Sequence, residues 1–432
     1  MIELTVPGDK SISHRALILA CMAEGESRIE GLLVSADTEA TASCLRAIGA
    51  QIPALGDQPL VIRGPVSWTS NGQVLDCANS GTAARLLTGF AVGLGLGVTL
   101  DGDSSLRGRP MDRVVYPLQA MGGQITYSGF RDRLPVTVRA RASGDLRVLR
   151  HRGRVASAQV KSSLLLAGLA SRTRVEVWEP VLSRDHTETL FAEHGAPIVK
   201  SQADGGHWAR FDPDGWNGRL RPLSFRVPGD ISSAAYLLAA SLCGTRAVRL
   251  QGMGLNPTRL GLLTVLGAMG ARIQSEVTGS AGGESVGRLI AQPSALRPFR
   301  IREELVPSLI DEIPLLCALA VRADGVSHVE GAGELRVKES DRIGLMADNL
   351  GALGVRCEVR PDGLSVHGSG DPLAGRVRTA GDHRMAMAFG VLASLPGSRI
   401  EIDDRECVAV SYPGFWSDLA KLLPRAEAPV RP

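Results

Sequence analysis

The sequence predicts a mixed α/β protein with two pseudo-symmetric domains, each made of three β-α-β-α-β-β repeats. A glycine that ends an amphipathic helix and leads into a strand recurs about every 75 residues, at Gly49, Gly122, Gly195, Gly270 and Gly354. The segment VPGDKSISHRALILA at positions 6–20 also returns as VPGDISSAAYLLAAS at positions 227–241, near the middle of the chain. A pattern that restarts halfway predicts two halves of one architecture.

Each repeat is predicted to contain two helices of different character. The helix before the recurring glycine is amphipathic and is followed by a strand, a turn and a second strand. The other helix is apolar beyond its first turn, which is typical of a buried helix. These buried helices are predicted to begin near Lys10, Thr82, Ala158, Ile231, Glu312 and His383.

The repeats also predict the domain boundaries. We expect a first domain over 9–227 and a second over 228–432 that includes residues 1–8, with hinges near 6–9 and 227–230. The sixth repeat lacks strands after its surface helix, and the N-terminal segment IELTV is expected to supply the missing strand. We expect the tail from Pro424 to be loose, and the N-termini of the buried helices to face the cleft between the domains.

Composition excludes several classes of function. The 432 residues are 44% hydrophobic with a net charge of +3 and only 4% aromatic residues, which does not favour binding of nucleic acid or of an anionic membrane. The seven cysteines form no C-x-x-C pair, as in reduced cytosolic proteins. The N-terminus does not resemble a secretion signal, and the apolar stretches are too short to span a bilayer. We therefore expect a soluble cytoplasmic protein. No P-loop or cluster of metal ligands occurs, so no metal or other cofactor is expected.

Polar residues at four starts of buried helices predict an anion site. A helix N-terminus presents free N–H groups and the positive end of the helix dipole. The four starts carry Lys10, Ser11 and Arg15; Asn79, Ser80, Gly81 and Thr82; Ser157 and Gln159; and Asp382, His383 and Arg384. The alternative is that Ser, Asn and Asp are ordinary N-caps. That alternative does not explain the cations among them.

Two further segments add charge. The loop 102–113 carries Arg107, Arg109 and Arg113. The segment ELRVKESDRI, 334–343, would place Lys338 and Arg342 on one face with Glu339 beside them if it is helical, although its charge pattern also fits an exposed, ion-paired helix.

A pair of carboxylates interrupts an apolar run in SLIDEIPLL. Asp311 and Glu312 are there either paired, capping a helix, or raised in pKa for proton transfer. Taken alone, the residues indicate a two-domain protein that binds a bis-phosphorylated or a phosphate-plus-carboxylate ligand, with candidates for one acid and one base.

These segments resemble motifs of the 5-enolpyruvylshikimate-3-phosphate synthase family. GDKSISHRALI, NSGTAARLL, GDSSLRGRPM, SAQVKSSLLLAGL, LSRDHTE, ELRVKESDRI and GDHRMAMAF all occur, in family order and along essentially the whole chain. The resemblance implies two similar halves that close over substrate. It also implies transfer of the enolpyruvyl group of phosphoenolpyruvate to the 5-hydroxyl of shikimate 3-phosphate, by addition and elimination through a tetrahedral intermediate, in chorismate and aromatic amino acid biosynthesis.

The resemblance implies site residues motif by motif. Shikimate 3-phosphate would be held by Lys10, Ser11, Arg15, Ser157, Gln159, Arg184, Asp311 and Lys338. Phosphoenolpyruvate would be held by Lys10, Gly81, Arg109, Gln159, Arg342 and Arg384. Asp311 would take the hydroxyl proton and Glu339 would serve carbon 3 of phosphoenolpyruvate, with Lys10 assisting. Some members carry Arg where Ser105 stands and Lys where Val410 stands, so Arg109 is expected to do more of the phosphate binding.

Two alternatives stay open from the sequence. One is the related transfer to UDP-N-acetylglucosamine, and the other is a non-catalytic anion-binding relative. The resemblance further implies that glyphosate competes with phosphoenolpyruvate next to Gly81. We expect a monomer.

Overall fold

The computed structural model describes residues 1–141 and 145–423, so the tail from Pro424 lies outside the described residues. Its α-helices are α1 (Lys10–Met22), α2 (Ala36–Ala47), α3 (Gly81–Leu94), α4 (Ser104–Arg107), α5 (Asp112–Ala120), α6 (Ala158–Ser171), α7 (His186–Glu193), α8 (Ile231–Cys243), α9 (Gly261–Ala268), α10 (Ile313–Ala320), α11 (Arg342–Ala352), α12 (His383–Ala393) and α13 (Phe415–Leu422). Within these two ranges, no helix is both long and apolar enough to cross a membrane.

The strands alternate with the helices along the chain. They are β1 (Ile2–Leu4), β2 (Gly25–Glu30), β3 (Leu60–Gly64), β4 (Val74–Asp76), β5 (Val98–Asp101), β6 (Ile125–Tyr127), β7 (Val136–Val138), β8 (Leu149–Arg152), β9 (Val175–Glu179), β10 (Ile198–Ala203), β11 (Gly206–Phe211), β12 (Ser224–Arg226), β13 (Val248–Gly254), β14 (Arg272–Ala281), β15 (Glu284–Gln292), β16 (Arg300–Ile301), β17 (Gly325–Val329), β18 (Cys357–Arg360), β19 (Gly363–Gly368), β20 (Ala374–Val377) and β21 (Arg399–Ile402).

Six small sheets confirm the predicted mixed α/β repeats. Their strand orders are β12-β2-β3, β4-β5-β7-β6, β10-β11-β9-β8, β1-β13-β15-β14, β16-β17-β19-β18 and β20-β21. In each sheet the strand that follows the buried helix is paired in parallel with one neighbour, for example β9 with β8 and β17 with β16. The later strands are antiparallel, as in β9 with β11. A parallel pair requires a long crossover. The buried helix provides it in four sheets, whereas the pairs β12 with β2 and β1 with β13 join strands that are far apart in the chain.

The six predicted starts of buried helices agree with the structure to within one residue. Helices α1, α6, α8 and α12 begin at the predicted positions, α3 begins at Gly81, and α10 begins at Ile313 after a short 3₁₀ turn. The recurring glycines follow α2, α5, α7, α9 and α11 with positive φ angles between +83° and +112°. An L side chain rarely adopts this backbone conformation, which explains why glycine recurs there.

Two predictions about strands are wrong. The N-terminal strand β1 pairs in parallel with β13 in the fourth repeat, and not in the two-stranded sheet of the sixth. Residues 50–59 form no strand after α2. The carbonyls of Ile52 and Pro53 accept hydrogen bonds from the Arg46 side chain instead of a neighbouring strand, and proline has no N–H to donate to a ladder.

The described chain forms two compact units. The N-terminal unit comprises Pro7–Pro228 and Ser280–Ser285, and the C-terminal unit comprises Met1–Val6, Gly229–Gly279 and the chain from Val286 on. Each unit has its own hydrophobic core, built from strands, surface helices and buried helices together. The buried helices α1, α3 and α6 contribute to the core of the N-terminal unit, and α8, α10 and α12 contribute to that of the C-terminal unit.

Helices α3 and α6 of the N-terminal unit pack with almost no space between their backbones. A methyl group at Gly89 would overlap the carbonyl oxygen of Ser163, and one at Gly93 would lie 2.6 Å from the carbonyl oxygen of Ala167. The Ser163 hydroxyl donates to the carbonyl of Arg85 at 2.7 Å. This contact aligns the two helices, so their N-termini lie side by side.

The glycine that follows α11 allows a direct test of the helix-end assignment. Gly354 has φ of +83° and open space around its Cα, whereas Gly351 lies inside α11 with equally open space. We expect Gly354→Ala to destabilise the protein by about 1 kcal/mol because of backbone strain, and Gly351→Ala to stabilise it by up to about 1 kcal/mol. Thermal unfolding midpoints of the two variants should therefore move in opposite directions. A shift of both in the same direction would contradict the assignment.

Candidate active site

The start of α1 holds a buried arginine whose hydrogen bonds go to neutral oxygens. Arg15 donates from Nε to Thr187 Oγ1 at 2.6 Å, from Nη1 to the carbonyl of Ser11 at 2.7 Å, and from Nη2 to Ser162 Oγ at 2.6 Å. Burial lowers the pKa of Arg15 to about 10, against an opposing effect of the carboxylate of Glu188. The guanidinium is still ionised at neutral pH, so this position favours an anionic ligand.

Lys10 lies one turn earlier and is held by a carboxylate that the sequence analysis did not identify. Its Nζ donates to Asp37 Oδ2 at 2.8 Å, and Asp37 is buried in the first turn of α2. His14, on the same helix, forms a hydrogen bond between its Nδ1 atom and Thr41 Oγ1 at 2.6 Å. Burial, with the charges of Lys10 and Arg15, lowers the pKa of His14 well below its ordinary value, so the cations here are accompanied by a neutral imidazole.

The paired N-termini of α3 and α6 bring Gly81 and Gln159 together. Gln159 accepts from Arg85 Nη1 at 3.0 Å and donates to Thr82 Oγ1 at 3.1 Å. A methyl group at Gly81 would lie 2.7 Å from Arg85 Nη1 and 3.2 Å from Arg109 Nη1. Two guanidinium groups therefore flank the bare backbone of Gly81. Arg85 was not predicted, although it stands within NSGTAARLL, one helical turn after the glycine.

The loop 102–113 separates the arginines that were predicted as a group. Arg109 is buried and donates to Asn79 Oδ1 at 2.5 Å and to Ser105 Oγ at 3.4 Å. Arg107 is exposed and pairs with Asp101 at 2.5 Å. Arg109 thus lies with Gly81, whereas Arg107 is neutralised at the surface.

Ser157 and Arg184 are two further residues of the N-terminal unit that were predicted to bind shikimate 3-phosphate. Ser157 is the N-cap of α6, and its hydroxyl accepts from the N–H of Val160 at 3.4 Å. Arg184 is half-buried in the loop between β9 and α7. The N-cap interpretation therefore holds for Ser157, as it does for Ser80 before α3. An N-cap residue at a helix start that lies near arginines can also contact a ligand.

In the C-terminal unit, Arg342 is fixed by Asp382. Both side chains are fully buried, and Arg342 donates from Nε to Asp382 Oδ2 at 2.8 Å and from Nη2 to Oδ1 at 3.2 Å. Burial by itself opposes the charge of each partner, but their attraction outweighs it: the pKa of Arg342 is raised and that of Asp382 is lowered. The sequence analysis identified Asp382 at the start of a buried helix beside Arg384, but it did not predict that Asp382 holds Arg342.

The segment 334–343 is not one helix, which corrects the prediction for Lys338 and Arg342. A 3₁₀ helix covers Gly333–Val337, and α11 begins at Arg342 with Asp341 as its N-cap. The break occurs because the Asp341 side chain accepts from the N–H of Gly344 and so starts a new helix. The alternative of an exposed, ion-paired helix is equally wrong, since Arg342 is buried.

The break groups the charged side chains around Asp311. Its Oδ1 lies 3.4 Å from Arg342 Nη1, 3.8 Å from Lys338 Nζ and 3.9 Å from Arg384 Nε. Glu339 pairs with Arg342 Nη2 at 2.7 Å. The predicted acid and base candidates and three predicted cations of the C-terminal unit thus form one cluster.

The uncharged copy of the repeated segment contributes to this cluster indirectly. Tyr236 occupies the place in α8 that Arg15 occupies in α1, is buried, and packs edge-on against Phe415. Burial raises the pKa of Tyr236 to about 12, although the charge of Arg384 opposes this. The second member of the predicted carboxylate pair, Glu312, accepts from the hydroxyl of Ser232 on α8. Glu312 also lies 3.7 Å from Arg259 Nη2, so it is paired, whereas proton transfer stays a prediction for Asp311.

Within residues 1–141 and 145–423, no group of three or more His, Cys, Asp or Glu side chains is placed to hold a metal ion.

Comparison with known proteins identifies the family. The family model described as EPSP synthase (3-phosphoshikimate 1-carboxyvinyltransferase) matches residues 2–419. The protein of Thermus thermophilus named 3-phosphoshikimate 1-carboxyvinyltransferase is 45% identical over 423 residues, which is 97% of this chain and 96% of the relative. The protein of the same name from Gloeobacter violaceus is 45% identical over 97% of this chain and 96% of its own length.

Solved structures show the same fold. EPSP synthase from Acinetobacter baumannii superposes with a TM-score of 0.81 at 34% identity, over 97% of this chain and 95% of that one. The enolpyruvyl transferase NikO from Streptomyces tendae shares the fold, with a TM-score of 0.73 at 19% identity over 98% and 94% of the two chains. The mixed α/β repeats, the buried cations and these whole-chain similarities lead to one conclusion: this chain belongs to the EPSP synthase family.

Proposed function

We propose that this protein transfers the enolpyruvyl group of phosphoenolpyruvate to the 5-hydroxyl of shikimate 3-phosphate and releases phosphate. The observation that carries this function is that relatives named for the reaction match over 97% of the chain. The clusters of buried arginines agree with it, because both substrates are polyanions. The reaction serves the synthesis of chorismate and the aromatic amino acids.

In the N-terminal unit, the group around Arg15 is suited to shikimate 3-phosphate. Arg15 is already oriented by three hydrogen bonds to neutral oxygens, so a phosphate meets a fixed cation rather than a flexible one. Ser11, Ser157, Gln159 and Arg184 complete this set, with Lys338 and Asp311 from the C-terminal unit and Lys10 as a shared ligand.

Phosphoenolpyruvate is assigned to the second set of cations. Arg109 and Gly81 belong to the N-terminal unit, where the guanidinium groups of Arg85 and Arg109 flank the backbone at the start of α3 and favour an anion there. Arg342 and Arg384 of the C-terminal unit complete the set together with Lys10 and Gln159. Arg342 is held rigidly by Asp382, which favours a fixed position for the bound anion.

The chemistry requires proton transfers in both steps: the addition removes the hydroxyl proton and protonates carbon 3, and the elimination removes a proton from carbon 3 as phosphate departs. Asp311 accepts the proton of the 5-hydroxyl as its oxygen attacks carbon 2 of phosphoenolpyruvate. Glu339, assisted by Lys10, delivers a proton to carbon 3, which gives the tetrahedral intermediate. In the elimination the Glu339 carboxylate takes a proton back from carbon 3 as the C–O bond to phosphate breaks, so the C=C bond is restored and phosphate leaves with the proton held by Asp311. Positioned cations stabilise the charge that develops on the departing phosphate. No metal or other cofactor takes part in this scheme.

The organisation of the chain in solution is part of the same proposal. We infer a monomer in the cytoplasm, with functional domains over 9–227 and 228–432 plus 1–8, and with hinges near 6–9 and 227–230. Nucleic acid and membrane have no part in the reaction.

The function is tested by turnover of the purified protein. We expect release of phosphate that depends on both substrates, together with a product whose mass equals that of the enolpyruvyl ether, and activity that EDTA leaves unchanged. Replacing shikimate 3-phosphate by UDP-N-acetylglucosamine should abolish turnover. The proposal would be overturned if only UDP-N-acetylglucosamine served as acceptor, or if neither acceptor gave turnover.

The proton-transfer roles are tested by isosteric variants. Asp311→Asn and Glu339→Gln keep the side-chain shape but cannot exchange a proton, so we expect single-turnover rates to fall by roughly 100- to 10,000-fold. Substrate affinities, measured by titration, should change far less. Asp348→Asn, an exposed position on α11, provides the control and should retain wild-type rates. Near-normal turnover in either active-site variant would remove that residue from the mechanism.

We expect glyphosate to inhibit the wild-type protein, because Gly81 has no side chain that would keep the inhibitor out of the phosphoenolpyruvate site. Because Gly81 is the first residue of α3 and its φ angle is not positive, Gly81→Ala should leave the melting temperature nearly unchanged. The added methyl would press on Arg85 and Arg109. We expect it to raise the inhibition constant of glyphosate by roughly tenfold or more, and the KM for phosphoenolpyruvate by less.

Kinetic constants of wild type and variant, together with their melting temperatures, decide the matter. Gly351→Ala is the matched control at an open, exposed position and should alter neither constant. Equal losses for inhibitor and substrate, accompanied by a lowered melting temperature, would mean that Gly81 has only a structural role.

A further inference from the structure

A buried carboxylate at the end of β9 is surrounded by hydrogen-bond donors. Glu179 is 3% exposed. Its Oε1 accepts from the N–H of Ser157 at 2.8 Å and from the hydroxyl of Ser183 at 2.8 Å. Its Oε2 accepts from Lys161 Nζ at 2.8 Å and from the N–H of Ser183 at 3.4 Å. One carboxylate therefore fixes a helix start and a loop at once.

The two segments that Glu179 joins both carry proposed ligands of shikimate 3-phosphate. The helix start contains Ser157 and, two residues on, Gln159. The loop contains Ser183, which directly precedes Arg184. Glu179 itself has no need to touch the substrate, since its hydrogen bonds decide where these neighbours are held.

Lys161 extends the connection to Arg15. Its side chain is 2% exposed and lies 2.8 Å from Glu179 Oε2 and 2.9 Å from Glu188 Oε1. Burial alone would lower the pKa of Lys161, but the two carboxylates outweigh burial and raise it. Glu188 follows Thr187 on α7, and Thr187 accepts the hydrogen bond from Arg15 Nε.

We propose that Glu179 is a positioning residue for shikimate 3-phosphate, which sets the distance between the N-terminus of α6 and the loop that carries Arg184. The proposal rests on the function proposed above. It assigns Glu179 a larger effect on shikimate 3-phosphate than on phosphoenolpyruvate, because Ser157 and Arg184 are proposed ligands of shikimate 3-phosphate alone, whereas Gln159 is shared by both substrates.

The chemistry of the surroundings explains why a carboxylate is needed. Each of the four groups that contact Glu179 is a donor: two backbone N–H groups, a hydroxyl and an ammonium. A glutamine amide would turn its own NH₂ toward one of these donors, and buried groups left without an acceptor are costly. Glu179→Gln should therefore release Ser157 or Ser183 while it preserves the volume of the side chain.

The experiment compares binding of the two substrates in Glu179→Gln and in a matched control. Glu176→Gln is three residues earlier on β9, where its half-buried side chain faces away from Glu179 and lies 3.5 Å from Arg150. We expect Glu179→Gln to weaken binding of shikimate 3-phosphate, titrated calorimetrically without phosphoenolpyruvate, by about tenfold or more. The KM for phosphoenolpyruvate should change less than about twofold. Glu176→Gln should leave both values at wild-type levels.

Two outcomes would overturn the proposal: unchanged affinity of Glu179→Gln for shikimate 3-phosphate, or equal losses for both substrates. If Glu179→Gln does not fold, the same comparison is made with Ser183→Ala, because this variant removes only the hydroxyl donor. Weaker binding of shikimate 3-phosphate alone would then support the proposal, and unchanged binding would overturn it. Failure of the proposed function would differ from either result, because the wild type itself would then show no turnover.

Discussion

The site in the N-terminal unit depends on the contact of α3 with α6 through glycine. Any side chain at Gly89 would overlap the backbone of Ser163, so the helices can approach this closely only with glycine there. Their N-termini then lie together, which brings Arg85 to Gln159 at 3.0 Å and Gln159 to Thr82 at 3.1 Å. Two helix dipoles and their free N–H groups thereby act on the same small volume. The proposed anion site is a consequence of this backbone packing.

The two units stabilise buried cations in different ways. Arg15 is held by a threonine, a serine and a backbone carbonyl, whereas Arg342 is held by Asp382. Neutral acceptors orient a guanidinium without cancelling its charge, so Arg15 keeps a strong attraction for a phosphate. A fully buried arginine that is paired with an aspartate is instead fixed in place, and its remaining N–H groups are directed toward Asp311 and Glu339. Both guanidinium groups are therefore oriented, but the charge of Arg342 is balanced by Asp382 and that of Arg15 is not balanced by its hydrogen-bond partners.

The repeated segment shows how one element serves two environments. Asp9 and Asp230 cap α1 and α8 in the same way, by accepting from N–H groups of the first turn. Beyond the cap, α1 presents Lys10 and Arg15, while α8 presents Ile231 and Tyr236. Ile231 and Tyr236 are part of the hydrophobic core of the C-terminal unit. The uncharged copy therefore packs as core, whereas the charged copy supplies cations.

The sequence by itself determined the repeats, the starts of the buried helices and the family, because apolar periodicity, helix-ending glycines and contiguous motifs are local properties of a chain. It also brought Asp311, Lys338, Glu339, Arg342 and Arg384 into one list of candidates. Only the tertiary structure decided that Arg107 pairs with Asp101 while Arg109 joins Gly81, and that Asp341 starts a new helix within 334–343. It likewise placed β1 beside β13 and showed that predicted site residues form hydrogen bonds with Asp37, Arg85, Glu179 and Asp382. Asp37 and Glu179 lie outside the motifs, and Arg85 and Asp382 lie within them. In both cases the hydrogen bond depends on which side chains the fold brings together, and the order of residues in the chain does not specify this.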